Sequence, residues 1–406
     1  MDKQLKDHKQ IGQELELFFT NEIAPGAPFW LPKGMVIFKE LEKYIRKLTE
    51  EAGYLETSTP IMVKSELFKQ SGHWEKFGEH NMYNLQLSDE VDSKPVSYTL
   101  KPMNCPESTI IYRFRPRSYK ELPLRLSEIG RLHRREKSGE VNGLLRVRQI
   151  TMDDAHIYAT EDQIFEEVSD ILDMMIKFYK SFGFEYDFRL ATRPETRAGS
   201  DENWDKAEKA LENVLKEKSI KAGDKKGDGA FYGPKIDVHI KDSQGRDWQL
   251  ATVQLDFHQP EAFKLEYIDE KGEKQRPVMI HRAIFGSFER FIAILTENFQ
   301  GAFPTWLSPV QVQIIPIADR HQKYGQNVLE QLKSSNIRTE IDTRAEKMQA
   351  KIRDAQMQKI PYMIIVGDRE EKENKVAIRT RSGEDLGAIT AQEFLTKIKA
   401  SIESKS

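Results

Sequence analysis

Residues 236–256 read IDVHIKDSQGRDWQLATVQLD. Two runs inside this stretch, 236–241 and 249–256, have the β periodicity of half-buried strands, and FEYDFRLA at 184–191 repeats it. Together the three runs predict a large antiparallel sheet with helices packed on it. Further β-rich stretches lie upstream at 82–86, 97–100, 123–129 and 144–151, with a helix over 162–182. An amphipathic helix over 34–52 carries Val36, Phe38, Leu41, Ile45 and Leu48 on or near one face and ends at Gly53. A short leading helix over 9–20 is read from Ile11, Leu15, Phe18 and Phe19, and 57–63 as extended chain broken by Pro60. Downstream, 277–284 leads into a helix over 286–298.

After Pro304, Ser308 and Pro309 the pattern changes. Strands at 310–317, 338–342, 362–366 and 375–379 alternate with helices at 322–334, 345–359 and 391–401, which predicts a compact α/β domain. The fold class is therefore an α+β domain over 1–305, its large antiparallel sheet flanked by helices, followed by a small α/β domain over 306–406.

At 406 residues, division into two domains is the expected outcome. Charged residues make up 31% but nearly cancel to a formal net charge of -3, so a nucleic-acid partner would have to be held by local patches. Cys105 is the only cysteine, which rules out an intrachain disulfide and fits a reducing compartment. No apolar run of membrane-spanning length occurs, and the first residues lack the apolar stretch of a signal peptide, so the expected location is cytoplasmic with no membrane contact.

Three side chains form a candidate metal set: Cys105 in KPMNCP, His156 in DDAHIY and His281 in MIHRAI. A thiolate and two imidazoles suit zinc, and three protein ligands leave a fourth position for substrate. From spacing alone, a buried cysteine and hydrogen-bonded core histidines are the commoner account. Arginines cluster at 131–135 and at 146 and 148, on either side of the loop 137–143, and are expected on both arms of a hairpin. Such guanidinium groups can cradle a polyphosphate, or they can form a solvated charge ladder with neighbouring acids.

Read in order, SGHWEKF, KPMNCP, HRREKSG with RVR, DDAHIY, FYGPKIDVHIKD, WQLATVQLDF, PVMIHRAIFGSFERFIAILTE and FPTWLSPVQV resemble the class II aminoacyl-tRNA synthetases, specifically the threonyl-tRNA synthetase family. The resemblance spans nearly the whole chain. It implies a class II synthetase fold over 1–305 and an anticodon-binding domain over 306–406. The implied activity joins L-threonine to tRNA(Thr) through a threonyl-adenylate made from ATP with Mg²⁺. A Zn²⁺ ion on Cys105, His156 and His281 would recognise the amino acid. It implies Arg134, Arg146 and Arg290 as catalytic arginines, with Glu136, Gln249 and Ser287 also at ATP. Asp154, Tyr232, Lys235 and Gln254 would face threonine, and Glu370 and Arg379 the anticodon. Thr59-Pro60 would lie at a homodimer seam. The family's serine-editing domain is not expected in this chain. The competing reading is a non-catalytic class II paralogue that binds tRNA.

Some positions depart from the family's pattern. Ile150 stands where a phenylalanine usually stacks on adenine, Met152 replaces a glutamine of the amino-acid pocket, and Gln149 also differs. Glu107-Ser108 replaces Gly-His, and Ala345 stands where an anticodon-reading asparagine is common. These departures bear on ATP affinity, substrate affinity and the strictness of anticodon reading.

Overall fold

The computed structural model describes residues 5–88, 94–242 and 244–405. Contacts divide the chain into two compact units. One comprises Glu22–Pro28 and Glu42–Phe291; the other comprises the described residues up to Asn21, Phe29–Leu41, and Ile292 onward.

The first unit is built on an eight-stranded sheet. In spatial order its strands are Ala222–Lys225, Tyr186–Ala191, Lys235–Lys241, Asp247–Asp256, Val278–Ala283, Gln149–Ala159, Leu124–His133 and Leu55–Glu56. Pairing is antiparallel except at the two ends, where the outermost strands run parallel to their neighbours. Helix Ile164–Ser181 packs its buried stripe of Val168, Ile171, Leu172, Met175 and Phe178 inward. Phe178 stacks on Phe285 with ring centroids 5.3 Å apart, and the Tyr179 hydroxyl donates to the Ile284 carbonyl at 2.9 Å.

Register decides what the sheet displays. Gln254 pairs with His281, and His281 pairs with His156, so these three side chains share one face. Lys235, opposite Gln254, shares that face too. Cys105 reaches it from the first turn of helix Cys105–Tyr112 and is buried in a cluster with Met103, Tyr112, Leu126, Tyr158 and Met279.

The second unit has a five-stranded sheet, in order Thr339–Ile341, Val312–Pro316, Tyr362–Val366, Val376–Thr380 and Asp385–Ile389. Its first three strands are parallel and the last two are added antiparallel. Ile314 packs with residues of helices Gln322–Ser334 and Ala391–Glu403, whereas Ile315 packs with Ile352 of helix Met348–Met357. Neighbouring strand residues face opposite ways, so helices cover both sides.

Three local expectations need correction. The leading helix runs only over His8–Glu14; Glu16 takes a left-handed conformation, and Phe18–Thr20 pairs as a strand with Pro28–Trp30. Apolar spacing alone could not reveal that reversal. The strand expected at 144–151 begins at Gln149 and runs on to Ala159. Leu144, Leu145 and Val147 are buried, but in the preceding loop. Arg134 and Arg146 consequently lie between the strands and not on them. Helix Asp201–Glu217, capped by Ser200 and buried along Trp204, Ala207, Leu211 and Val214, had no counterpart in the sequence reading.

Candidate active site

A cavity of about 310 Å³ opens on the face that carries Gln254, His281 and His156. Cys105, Arg134, Met152, Asp154 and Tyr232 also line it. The potential ligand atoms of Cys105, His156 and His281 all lie within 4.8 Å of one another, and all three residues are buried. Burial, with Asp154 and Glu107 nearby, pushes the Cys105 thiol well up, while burial and the neighbouring His281 push His156 well down. Both directions follow from desolvation without an ion. His156 Nε2 is buried with no hydrogen-bond partner, a position that a metal ion would satisfy. His281 Nε2 lies 2.8 Å from Asp256 Oδ2, the kind of carboxylate contact that orients a ligating imidazole. The donor set therefore fits a metal ion.

Asp154 sits beside this cluster, its Oδ2 3.9 Å from His156 Nε2. Burial pushes its carboxyl up to about 6, against a hydrogen bond from Asn104 that pulls it down. Tyr232 packs on His281 with ring centroids 5.0 Å apart and donates a short hydrogen bond to Gln254. Lys235 stands apart from the cavity lining, its Nζ held by Asp237 Oδ2 at 2.7 Å, while Gln249 Nε2 donates to Asp237 Oδ1 at 2.8 Å. Asp237 thus ties together two side chains that sequence placed in different subsites.

The arginines form a second group. Arg134 lines the cavity and donates through Nε to the Pro102 carbonyl at 3.1 Å. Arg290 donates to the Leu145 carbonyl at 3.0 Å and lies 5.8 Å from the Trp248 ring centre. Its guanidinium is pushed down by burial and then by Arg134 and Arg146, so the three cations feel one another. Such crowding favours an anion. Arg146 is about half exposed and paired with Glu136 at 2.7 Å and Glu140 at 2.9 Å. The Ser287 hydroxyl accepts from the Arg290 amide at 3.2 Å. Ile150 is buried with Leu132 and Val147, Met152 packing beside them.

Sequence reading missed three contributors. His73, in the quoted SGHWEKF, lines the cavity with its Nε2 3.8 Å from Cys105 Sγ, and burial pushes it down to about 3. Asp256 follows the alternation of its strand and gave no separate signal. Asn104 was visible only as a neighbour of Cys105. Asp153 anchors Arg282 at 2.6 Å and accepts from the Ile284 amide at 2.8 Å, but it points away from Asp154 along the strand.

In the second unit, Glu370 accepts from the Gly367 amide at 3.0 Å at the start of helix Asp368–Glu373, and Arg379 lies on strand Val376–Thr380 at a register shift. Ala345 precedes helix Met348–Met357. A larger cavity, about 520 Å³, belongs to this unit. Its Lys33, Arg344 and Lys351 are engaged with Glu16, Asp342 and Asp354 or the Asp342 carbonyl, and it holds none of the thiol or imidazole groups. Among the described residues, no helix is long and apolar enough to cross a membrane.

Comparison with known proteins gives this geometry a family. Residues 84–299 match the tRNA synthetase class II core domain (G, H, P, S and T), and residues 311–401 match an anticodon binding domain. A threonine--tRNA ligase of Clostridium tetani is 50% identical over 400 residues, covering 98% of this chain and 62% of the relative. Another, from Caldanaerobacter subterraneus subsp. tengcongensis, is 50% identical over 401 residues, covering 99% and 61%. The chain thus spans about three-fifths of the length of these curated relatives. A crystal structure titled the RNA binding domain of threonyl-tRNA synthetase from Cryptosporidium parvum Iowa II superposes with a TM-score of 0.92 at 37% identity, covering 98% of each chain. With core, appended domain and a structural match over 98% of each chain in agreement, the chain belongs to the threonyl-tRNA synthetase family of class II tRNA synthetases.

Proposed function

We propose that the chain activates L-threonine with ATP to threonyl-adenylate and pyrophosphate, then transfers the threonyl group to the 3′-terminal ribose of tRNA(Thr). The observation that carries this reading is the buried Cys105–His156–His281 cluster beside Asp154 in a cavity of about 310 Å³. These three residues would hold Zn²⁺, which when bound supplies an electrophilic seat for the amine and hydroxyl of the amino acid.

Asp154 accepts the hydrogen bond of the threonine hydroxyl. Tyr232 and Gln254 wall the amino-acid side, while Lys235, tied to Asp237, braces the strand beneath it. Arg134 and Arg290 hold the phosphates as the threonine carboxylate attacks and pyrophosphate leaves, offsetting the charge that builds up. Arg146 and Glu136 close over the nucleotide, with Gln249 and Ser287 placed nearby, and Mg²⁺ accompanies ATP. No protein nucleophile is required; positioning supplies much of the acceleration.

Valine matches threonine in shape but has no hydroxyl, and sites built around a hydroxyl reject such analogues by about 10⁴–10⁵. Serine lacks only a methyl, worth roughly 1–3 kcal/mol, so it is refused far less well. In the α/β domain, Glu370 and Arg379 contact anticodon bases. A homodimer forms at the sheet edge near Thr59-Pro60, where Leu55, Ile61 and Met62 are exposed. The lone reduced cysteine fits work in the cytoplasm.

Amino-acid-dependent exchange between pyrophosphate and ATP tests the reading, run with threonine, serine and valine before and after chelation. Strong threonine exchange that collapses on chelation, weak serine exchange and none with valine is the expected pattern. No exchange with any amino acid would leave a tRNA-binding paralogue in its place.

A further inference from the structure

We propose that Asn104, seated over Gly130, is the positioning residue that aims the Asp154 carboxylate into the cavity; this rests on Asp154 accepting the substrate hydroxyl. Asn104 is fully buried, and its Nδ2 donates to Asp154 Oδ2 at 3.0 Å. An ionised carboxylate only accepts, so the nitrogen of the carboxamide must face it. That orientation leaves Asn104 Oδ1 buried without a partner. An unmet buried carbonyl costs free energy that a smaller apolar side chain would avoid, so the amide is retained against a local penalty.

Gly130 supplies the room. It pairs with Met152 on the neighbouring strand, two residues along from the Glu128–Asp154 pair, and therefore lies on the same face as Asp154. A Cβ at Gly130 would stand 2.4 Å from both Asn104 Oδ1 and Nδ2 and 2.7 Å from Cγ, and these are its three nearest neighbours. Any side chain there displaces the carboxamide first. The oxygen that Asn104 holds is also the one facing His156 Nε2, so the amide fixes how the acid is turned relative to the thiol–imidazole cluster. Fixing one oxygen leaves the other free to meet a hydroxyl.

The test compares the 406-residue chain with Asn104→Ala and Gly130→Ala, reading KM for threonine, serine and ATP in pyrophosphate exchange, zinc per chain, and thermal melting. Both variants are expected to raise KM for threonine and serine roughly 10- to 100-fold, the scale of one charge-assisted hydrogen bond. KM for ATP and zinc content should stay as in the parent. Gly130→Ala is decisive because the amide is still present but pushed from its seat. A threonine KM within about twofold of the parent, or equal losses for threonine and ATP, overturns the positioning role. If Asn104→Ala does not fold, Asn104→Leu, close to it in shape, takes its place on the same criteria. A parent chain inactive with threonine would overturn the proposed activity itself, an outcome distinct from an active parent with indifferent variants.

Discussion

The thiol–imidazole cluster and the arginine group stand on different kinds of backbone. His156 and His281 occupy paired positions on adjacent strands, Cys105 sits in a helix first turn, and Asp256 steadies one ring from a third strand. Arg134 and Arg146 lie in the loop joining two strands, and Arg146 is already engaged with two glutamates. Arg290 mediates, on a helix but bonded to the loop through Leu145. The end that would choose the amino acid is preorganised; the end that would take the nucleotide must exchange internal ion pairs for phosphate. Where discrimination rests on one hydroxyl, rigid strands are the suitable support, and where a large anion enters and leaves, a loop is.

That contrast can be broken in order of expected effect. Cys105→Ala should lower threonine-dependent pyrophosphate exchange by about 10⁴-fold, since recognition of a hydroxyl is worth about 10⁴–10⁵. Retained activity with no bound zinc would remove the cluster from the reaction. Arg290→Ala should reduce kcat by about 10²–10³, the effect of deleting one fixed donor to developing charge, with zinc per chain unchanged. If zinc fell as well, the two groups would not be separable. Asp256→Asn, which weakens the brace on His281, should loosen zinc by about 10–100-fold in a competition titration while the far-ultraviolet spectrum stays constant.

A pH effect follows from helix Phe288–Asn298, which carries both Glu289 and Arg290. Glu289 is buried and accepts from the Thr151 amide at 2.9 Å; burial raises its carboxyl to about 7, with that hydrogen bond acting the other way. A carboxyl raised in the folded state stabilises it fully below the ordinary value of 4.5, and that contribution is lost as pH rises through about 7. Glu289→Gln should therefore flatten the fall in unfolding free energy, read by urea titration, between about pH 5 and 8, by on the order of 1–3 kcal/mol. An unchanged slope would place the pH sensitivity elsewhere. The smallest effect is expected for Arg146→Ala: less than about 1 kcal/mol in urea unfolding, because its ion pairs are exposed, together with a higher KM for ATP. A large stability loss would mean that the loop is as rigid as the cluster.

The sheet was legible because 184–191, 236–241 and 249–256 alternate apolar and polar side chains along strands, and that alternation survives in the residues even over Lys235–Ile240, where both faces are buried. The small domain was legible for the same reason, its helix Gln322–Ser334 and strand Tyr362–Val366 lying where expected. Reading failed where side-chain burial and backbone shape part company. Leu144, Leu145 and Val147 have strand-like spacing yet are buried in a loop, and Phe18 follows helical spacing yet sits on a strand beyond a left-handed Glu16. The metal set needed the family's order of motifs, since its members are spread from residue 105 to residue 281. Asn104, Asp256 and His73 escaped because their roles come from partners distant in sequence.

Cys105 is both the only cysteine of the chain and a buried wall of the cavity. A thiol-reactive dye added to the native protein therefore has one address, and labelling requires that address to open. In the metal-free chain the rate of single-site labelling becomes a direct clock for opening of the cavity, with no background from other sulfhydryls, and slower labelling on adding an amino acid would rank ligands without any turnover.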